Sequence, residues 1–298
     1  KLINYLAPVV ILALLINTSS CSEQTSLDKS RQGEIEQASL LHKRIAEEMR
    51  QDLLEEMILE EILDEVITDL ENFDLLKSES TSPVVTKEYP EEGKYPKVIT
   101  KDYGDGCMTD RGVEKSGKII VTVNGKWIEE GSVRTVTFED YVRNGTSVSG
   151  EKVITCLGMN DDEVYIHSIV GTVTMVRPND VTVEREINKE RTLLTGFRER
   201  EVPKEWLVEG EVKVTKSTGT TYEMNITEPL HRIQGCKWFQ MGVKNFEFEK
   251  VKEGEDEVSK RTVIIDYSYA ESDDACDHYA LRQVNDKEPV VISLKKDD

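Results

Sequence analysis

Four cysteines, Cys107, Cys156, Cys236 and Cys276, stand far apart with no Cys-x-x-Cys pair. That spacing disfavours a zinc ribbon or a thioredoxin-type site and leaves open up to two disulfides, with three ways to connect them. Two acidic loops surround cysteines and are the best candidates for metal ligands. One holds Asp102, Asp105 and Asp110 around Cys107, and the other holds Asp273, Asp274, Asp277 and His278 around Cys276. Their oxygens suit calcium, and Asp with His also suits zinc, but neither loop has the alternating acid spacing that wraps a calcium ion. The competing reading is a polar hairpin loop whose Asp side chains bond nearby backbone N–H groups.

Other chemistry finds little support. The four histidines, His42, His167, His231 and His278, form no His-Glu-x-x-His pair. There is no Gly-rich phosphate cradle, so no nucleotide cofactor is expected. Gly145-Thr-Ser147 hints at a nucleophile elbow, but the closing Gly is missing and the segment lies between strands. Paired carboxylates for glycoside hydrolysis could hide among 58 acidic residues without any sequence signature. Trp127, Trp206 and Trp238, with Tyr165, Tyr222, Tyr267 and Tyr269, could form a sugar platform, although such aromatics more often fill a β core. No catalytic site is expected.

The fifth cysteine has a different setting. An apolar run from Leu6 to Ile16 is too short to span a bilayer but suits the core of a signal peptide. Thr18-Ser19-Ser20-Cys21 follows, and small residues before a cysteine at that place mark a lipoprotein processing site. Thr18 stands where most such sites carry Leu. Cys21 is therefore the expected lipidation site and membrane anchor, with cleavage near Ser20 without acylation as the alternative.

These residues must be carried by elements with two grammars. Residues 1–20 read as signal peptide and 21–33 as polar tether. Residues 34–78 read as an acidic amphipathic helix, free of Pro and Gly. Leu41, Ile45, Met49, Leu59, Leu63, Val66, Ile67 and Leu70 share one face, while Leu54, Met57 and Ile58 fall off it, which implies a kink or a grip from two sides. The helical stretch carries about fifteen acidic against four basic residues, read as a solvated face or a docking surface for a partner. Residues 79–96, with Pro83, Pro90 and Pro96, read as an extended linker.

From 97 to 298 the pattern is alternation with β-branched residues, broken by turn signals such as Asn124-Gly125 and Asn144-Gly145. The fold class is thus mainly β: an N-terminal acidic helix, then a large antiparallel domain built as a meander, a sandwich or an open barrel. A weak echo between Ile99–Lys126 and Val263–Lys287 fits either a duplicated hairpin or chance.

Tyr95 to Cys107, Gly117 to Gly125, Gly131 to Phe138 and Ile226 to Arg232 together resemble uncharacterised Bacteroidota cell-envelope lipoproteins. Cys156 is not part of that pattern. The resemblance implies an outer-membrane or periplasmic setting and no established activity. A net charge of -20 with no basic stripe excludes a nucleic-acid partner. The expected protein is a lipid-anchored envelope protein with a binding or structural role and an envelope-protein or glycan partner. A glycan or lipid carrier with a curved β domain is the alternative, and a hydrolase with dispersed carboxylates stands behind it.

Overall fold

The computed structural model describes residues 43, 46–66, 83–89, 94–109, 112–195, 202–251, 258–269 and 276–295. The chain divides into two compact units, Lys1–Glu56 and Met57–Asp298. Residues 46–66 are helical (α1); 46–56 belong to the first unit and 57–66 to the second. In the first unit, Arg50 pairs with Glu47 at 2.8 Å along the helix surface. Apart from residue 43, which is helical, the remainder of the expected 34–78 helix lies outside the described residues, as does Cys21.

The second unit is one fourteen-stranded antiparallel sheet. Its strands are β1 (Val84–Glu88), β2 (Lys97–Asp102), β3 (Cys107–Met108), β4 (Glu114–Val123), β5 (Val133–Arg143), β6 (Thr146–Met159) and β7 (Tyr165–Val176). They continue as β8 (Thr182–Thr195), β9 (Glu205–Lys216), β10 (Thr220–Ile233), β11 (Met241–Val251), β12 (Val258–Asp266), β13 (Tyr279–Val284) and β14 (Val290–Ser293). Apart from β3, which adds to β4, each strand pairs with its neighbours in chain order, a meander that is not closed. The mainly-β expectation is met.

Two details differ from the sequence reading. Val84–Glu88, inside the expected linker, pairs with β2 from Val84↔Asp102 to Glu88↔Val98. Its Val-Val-Thr run prefers a pleated strand, and the flanking prolines merely bound it. Asn124-Gly125 is not a two-residue turn. It opens the 124–132 connection, in which Asn124 Oδ1 accepts the Val133 N–H at 2.6 Å. Asn144-Gly145, by contrast, is a two-residue hairpin with both residues at positive φ.

The long central strands alternate between a buried face and an exposed one, and that alternation selects what lies inside. In β8 the inward residues are Val183, Arg185, Ile187, Lys189, Arg191 and Leu193, while Glu184, Glu186 and Glu190 point outward. Acid outside and cation inside is repeated in β4 (Glu114, Lys115), β6 (Glu151, Lys152) and β11 (Glu247 and Glu249 against Lys244). In these strands the acids therefore lie on the outer face of the sheet.

The sheet is bent by bulges and glycines. Register shifts fall within β4–β5, β5–β6, β6–β7, β8–β9, β9–β10 and β10–β11. At Gly150 (φ +103) and Gly210 (φ +114) a Cβ would lie 2.2 Å from the Thr172 carbonyl oxygen and 2.3 Å from that of Asn188. Only glycine lets neighbouring strands come this close while the strand folds over. Gly150→Ala or Gly210→Ala should each cost about 2 kcal/mol or more in chemical denaturation. Gly219→Ala, at a hairpin with open space around it, should cost less than either.

Candidate functional site

Helical residues 57–66 have no exposed position: Met57, Leu59, Ile62, Leu63 and Val66 are buried and apolar, and Glu60 is buried with them. Apolar residues on two sides of a helix are a sign of burial all round, the grip that Met57 and Ile58 imply. The acids between them are buried or half-buried rather than facing open water, which corrects the reading of a water-facing acidic stripe.

All four acids of this segment meet sheet cations. Glu60 pairs with Lys189 (3.3 Å) and with Arg191 on β8. Asp64 sits between Arg191 (3.1 Å) and Arg232 of β10, which donates to Oδ2 through Nε at 3.0 Å and Nη2 at 2.6 Å. Glu61 pairs with Arg143 of β5. Glu65 holds Lys101 of β2 (2.5 Å) and Lys115 of β4 (2.8 Å), and accepts the Tyr103 hydroxyl at 2.5 Å. Lys152 of β6 donates to the Leu59 carbonyl at 3.0 Å.

These contacts fix the curvature. From β2 to β10 the sheet order takes seven inter-strand steps, about 34 Å if flat. A helix with its side chains is about 10–12 Å wide. Ten residues can touch strands that far apart only if the sheet curls around them, so segment 57–66 is the axis of the β unit.

Burial and charge work against each other at Glu65 and Glu60. Burial pushes the Glu65 carboxyl up, but Lys101 and Lys115 outweigh it and hold the group down at about 2. Burial likewise opposes ionisation of Glu60, and Arg191, Lys189, Lys152 and Arg232 together hold it well below the ordinary carboxylate range. Inward cations also stack on aromatic rings: Arg134 over Trp127 at 4.4 Å, Lys244 over Phe239 at 4.3 Å and Arg191 over Trp206 at 5.3 Å.

The residues singled out in the sequence separate under the fold. Cys236 and Cys276 form a disulfide with 5.1 Å between Cα atoms, and Cys107 and Cys156 are free thiols, so the four cysteines make one bridge. Asp273, Asp274 and Asp110 lie outside the described residues. Asp277 uses Oδ1 to accept the N–H groups of His278 (2.5 Å) and Tyr279 (3.0 Å), which favours the loop-capping reading over metal ligation. Asp102 caps its own turn through Gly104 N at 2.8 Å. Among the described residues no three His, Cys, Asp or Glu side chains converge on a common point.

Ser147 lies in a strand, paired with Val142 and Val176, and not at a strand-to-helix turn. The aromatics do not assemble into a platform. Trp206, Trp238, Tyr222 and Tyr267 are buried, with Tyr222 packed on Phe246 and Phe248 and Tyr267 on Phe239. His231 pairs with Glu205 at 2.8 Å, and His167 stacks on Trp127. Burial pushes the His167 ring down to about 4; the bond to the Trp127 carbonyl opposes that shift, and Arg134 and Arg191 add to it.

The cations that define the site, Lys115, Arg143, Lys189, Arg191 and Arg232, were missed from sequence. Their signal was present in the phase: in Val183–Leu193 the basic residues share the register of Val183, Ile187 and Leu193, while the acids occupy the other. Comparison with family models, with characterised proteins and with solved structures returns no match. Among the described residues no helix is long and apolar enough to cross a membrane.

Asp64→Ala leaves Arg191 and Arg232 buried without this carboxylate and should cost about 3–5 kcal/mol in denaturant unfolding. Removing the exposed Lys260–Glu249 pair should leave the midpoint unchanged within error. Because the folded pKa of Glu65 is depressed, its stabilising contribution is full above the ordinary carboxylate range. It is lost as pH falls from about 4.5 through about 2. Glu65→Gln should therefore be less stable at neutral pH, and acid titration of unfolding should show a shallower decline over that window.

Proposed function

We propose that the protein is an exported envelope lipoprotein, anchored through Cys21, whose β unit serves as a binding or structural scaffold. The observation that carries the scaffold reading is the filled concavity. The place where a carrier would seat a glycan or lipid is occupied by residues 57–66, locked by ion pairs to strands from β2 to β10. What remains for partners is the outer face and the loops, and the outward acids of β6, β8 and β11 make that face suited to basic surfaces.

Export is supported by two features. The Leu6–Ile16 run and the small residues before Cys21 fit a processed signal segment. The Cys236–Cys276 bridge fits an oxidising compartment. The resemblance to Bacteroidota envelope lipoproteins points the same way. The carrier reading would require residues 57–66 to leave the sheet, which exposes five apolar side chains and separates four acids from their cations.

Cells expressing the full chain and fed an alkyne analogue of palmitate should label it, and the protein should sediment with membranes. Cys21→Ser should abolish the label and release the protein to the soluble fraction. Labelling that survives in Cys21→Ser, or an unlabelled wild-type protein in the cytosol, would contradict the anchor.

A further inference from the structure

Apart from the ion-paired helix, the described sheet interior holds a buried thiol and a buried imidazole that the fold leaves with unused lone pairs. Cys156 and His167 face each other directly across β6 and β7, and each is 1 % exposed. Cys156 uses its N–H on Ser132 and its carbonyl on Gly131, both toward the β5 side. Its pairing with His167 is therefore the non-hydrogen-bonded kind, in which facing side chains approach most closely.

The histidine is set up to present one nitrogen. Nε2 lies 3.0 Å from the Trp127 carbonyl, which can only accept, so Nε2 carries the proton. Nδ1 is then a lone-pair donor, and it is buried with no hydrogen-bond partner. The ring cannot turn away freely, because Trp127 stacks on it at 4.0 Å with an interplanar angle of 16°. Its tautomer and orientation are held as outer-shell contacts hold those of a metal-binding histidine. A buried, oriented and unsatisfied acceptor opposite a free thiol calls for a ligand that bonds both.

We propose that Cys156 Sγ and His167 Nδ1 form a two-coordinate site for a soft monovalent metal ion of the copper(I) type. Softness follows from thiolate and imidazole ligands, with no carboxylate. Monovalency follows from charge. On binding, the Cys156 thiol releases its proton to solvent as the sulfur–metal bond forms, Nδ1 donates its lone pair, and no electron is transferred. Thiolate and monovalent cation sum to zero. A divalent ion would leave a net positive charge beside Arg191, which is the next cross-strand partner of His167, and Arg134, which stacks on Trp127.

Silver(I), a redox-inert member of this class, is the probe. The full chain carrying Cys21→Ser and Cys107→Ser, with the Cys236–Cys276 bridge intact, is titrated anaerobically with silver(I) against a competing ligand. One equivalent should bind, and thermal denaturation should shift upward. Adding Cys156→Ala should abolish that equivalent, and adding His167→Gln should weaken it at least tenfold. Zinc(II) should produce no shift. X-ray absorption of the silver-loaded parent, which needs no folding-sensitive variant, should show one sulfur and one nitrogen neighbour. No bound equivalent, binding indifferent to His167→Gln, or a silver shell without nitrogen would overturn the assignment.

Discussion

A lysine or arginine turned into the interior of a sheet must meet an anion, a polar acceptor or an aromatic face there, because the cost of an unpaired buried cation exceeds what most single contacts return. In this protein the requirement falls on a short helical segment. Glu60, Glu61, Asp64 and Glu65 occupy successive turns, so one helix face presents paired acids about 6 Å apart along the axis. Lys101, Lys115, Arg143, Lys189, Arg191 and Arg232 converge on them from five strands. The pairing sets more than local contacts. It selects which face of each strand is inside, positions the helix along the sheet and dictates how far the sheet must curl.

Curling by that amount needs a backbone that can bend without losing its ladder. The bulges between neighbouring strands and the glycines seated against adjacent carbonyls supply it. Apolar packing then fills the gaps: Met57, Leu59, Ile62, Leu63 and Val66 from the helix, and Ile119, Val136, Ile154 and Ile169 from the sheet. Ion pairs and apolar contacts alternate along both partners, so neither could slide without mismatching the other. A buried ionic array of this kind favours register and orientation more than raw stability, as a polar core position does in a coiled coil.

Much of this was legible in sequence, and the exceptions share a cause. Strand alternation and the Asn144-Gly145 turn are local signals, and they place β5 and β6 correctly. Val84–Val85–Thr86 was hidden because two prolines flank it, and a proline only bounds a strand that lacks one in its interior. The acidic helix is legible, but its charged face reads as solvated or as a docking surface for a partner, because long charged side chains usually lie in water. What decides otherwise is non-local: the matching cations lie up to 168 residues away along the chain, between Asp64 and Arg232. Their inward phase in β8 is visible only when basic residues are allowed to count as interior. The disulfide was one of several permitted pairings, and only the meander brings Cys236 beside Cys276.

The sheet turns the acids of β6, β8 and β11 outward and keeps its inward cations for the helix; under the proposed function, a lipid anchor at Cys21 would hold that acidic face at a membrane. The account rests on true energetic coupling between helix and sheet. A double-mutant cycle on Asp64→Asn and Arg232→Met, read by urea denaturation of the full chain at neutral pH, tests it most directly. The account predicts strong non-additivity, a coupling of about 1–3 kcal/mol. Additivity within about 0.5 kcal/mol would mean that the two side chains are neighbours without being partners, and the electrostatic basis of the fold would fall.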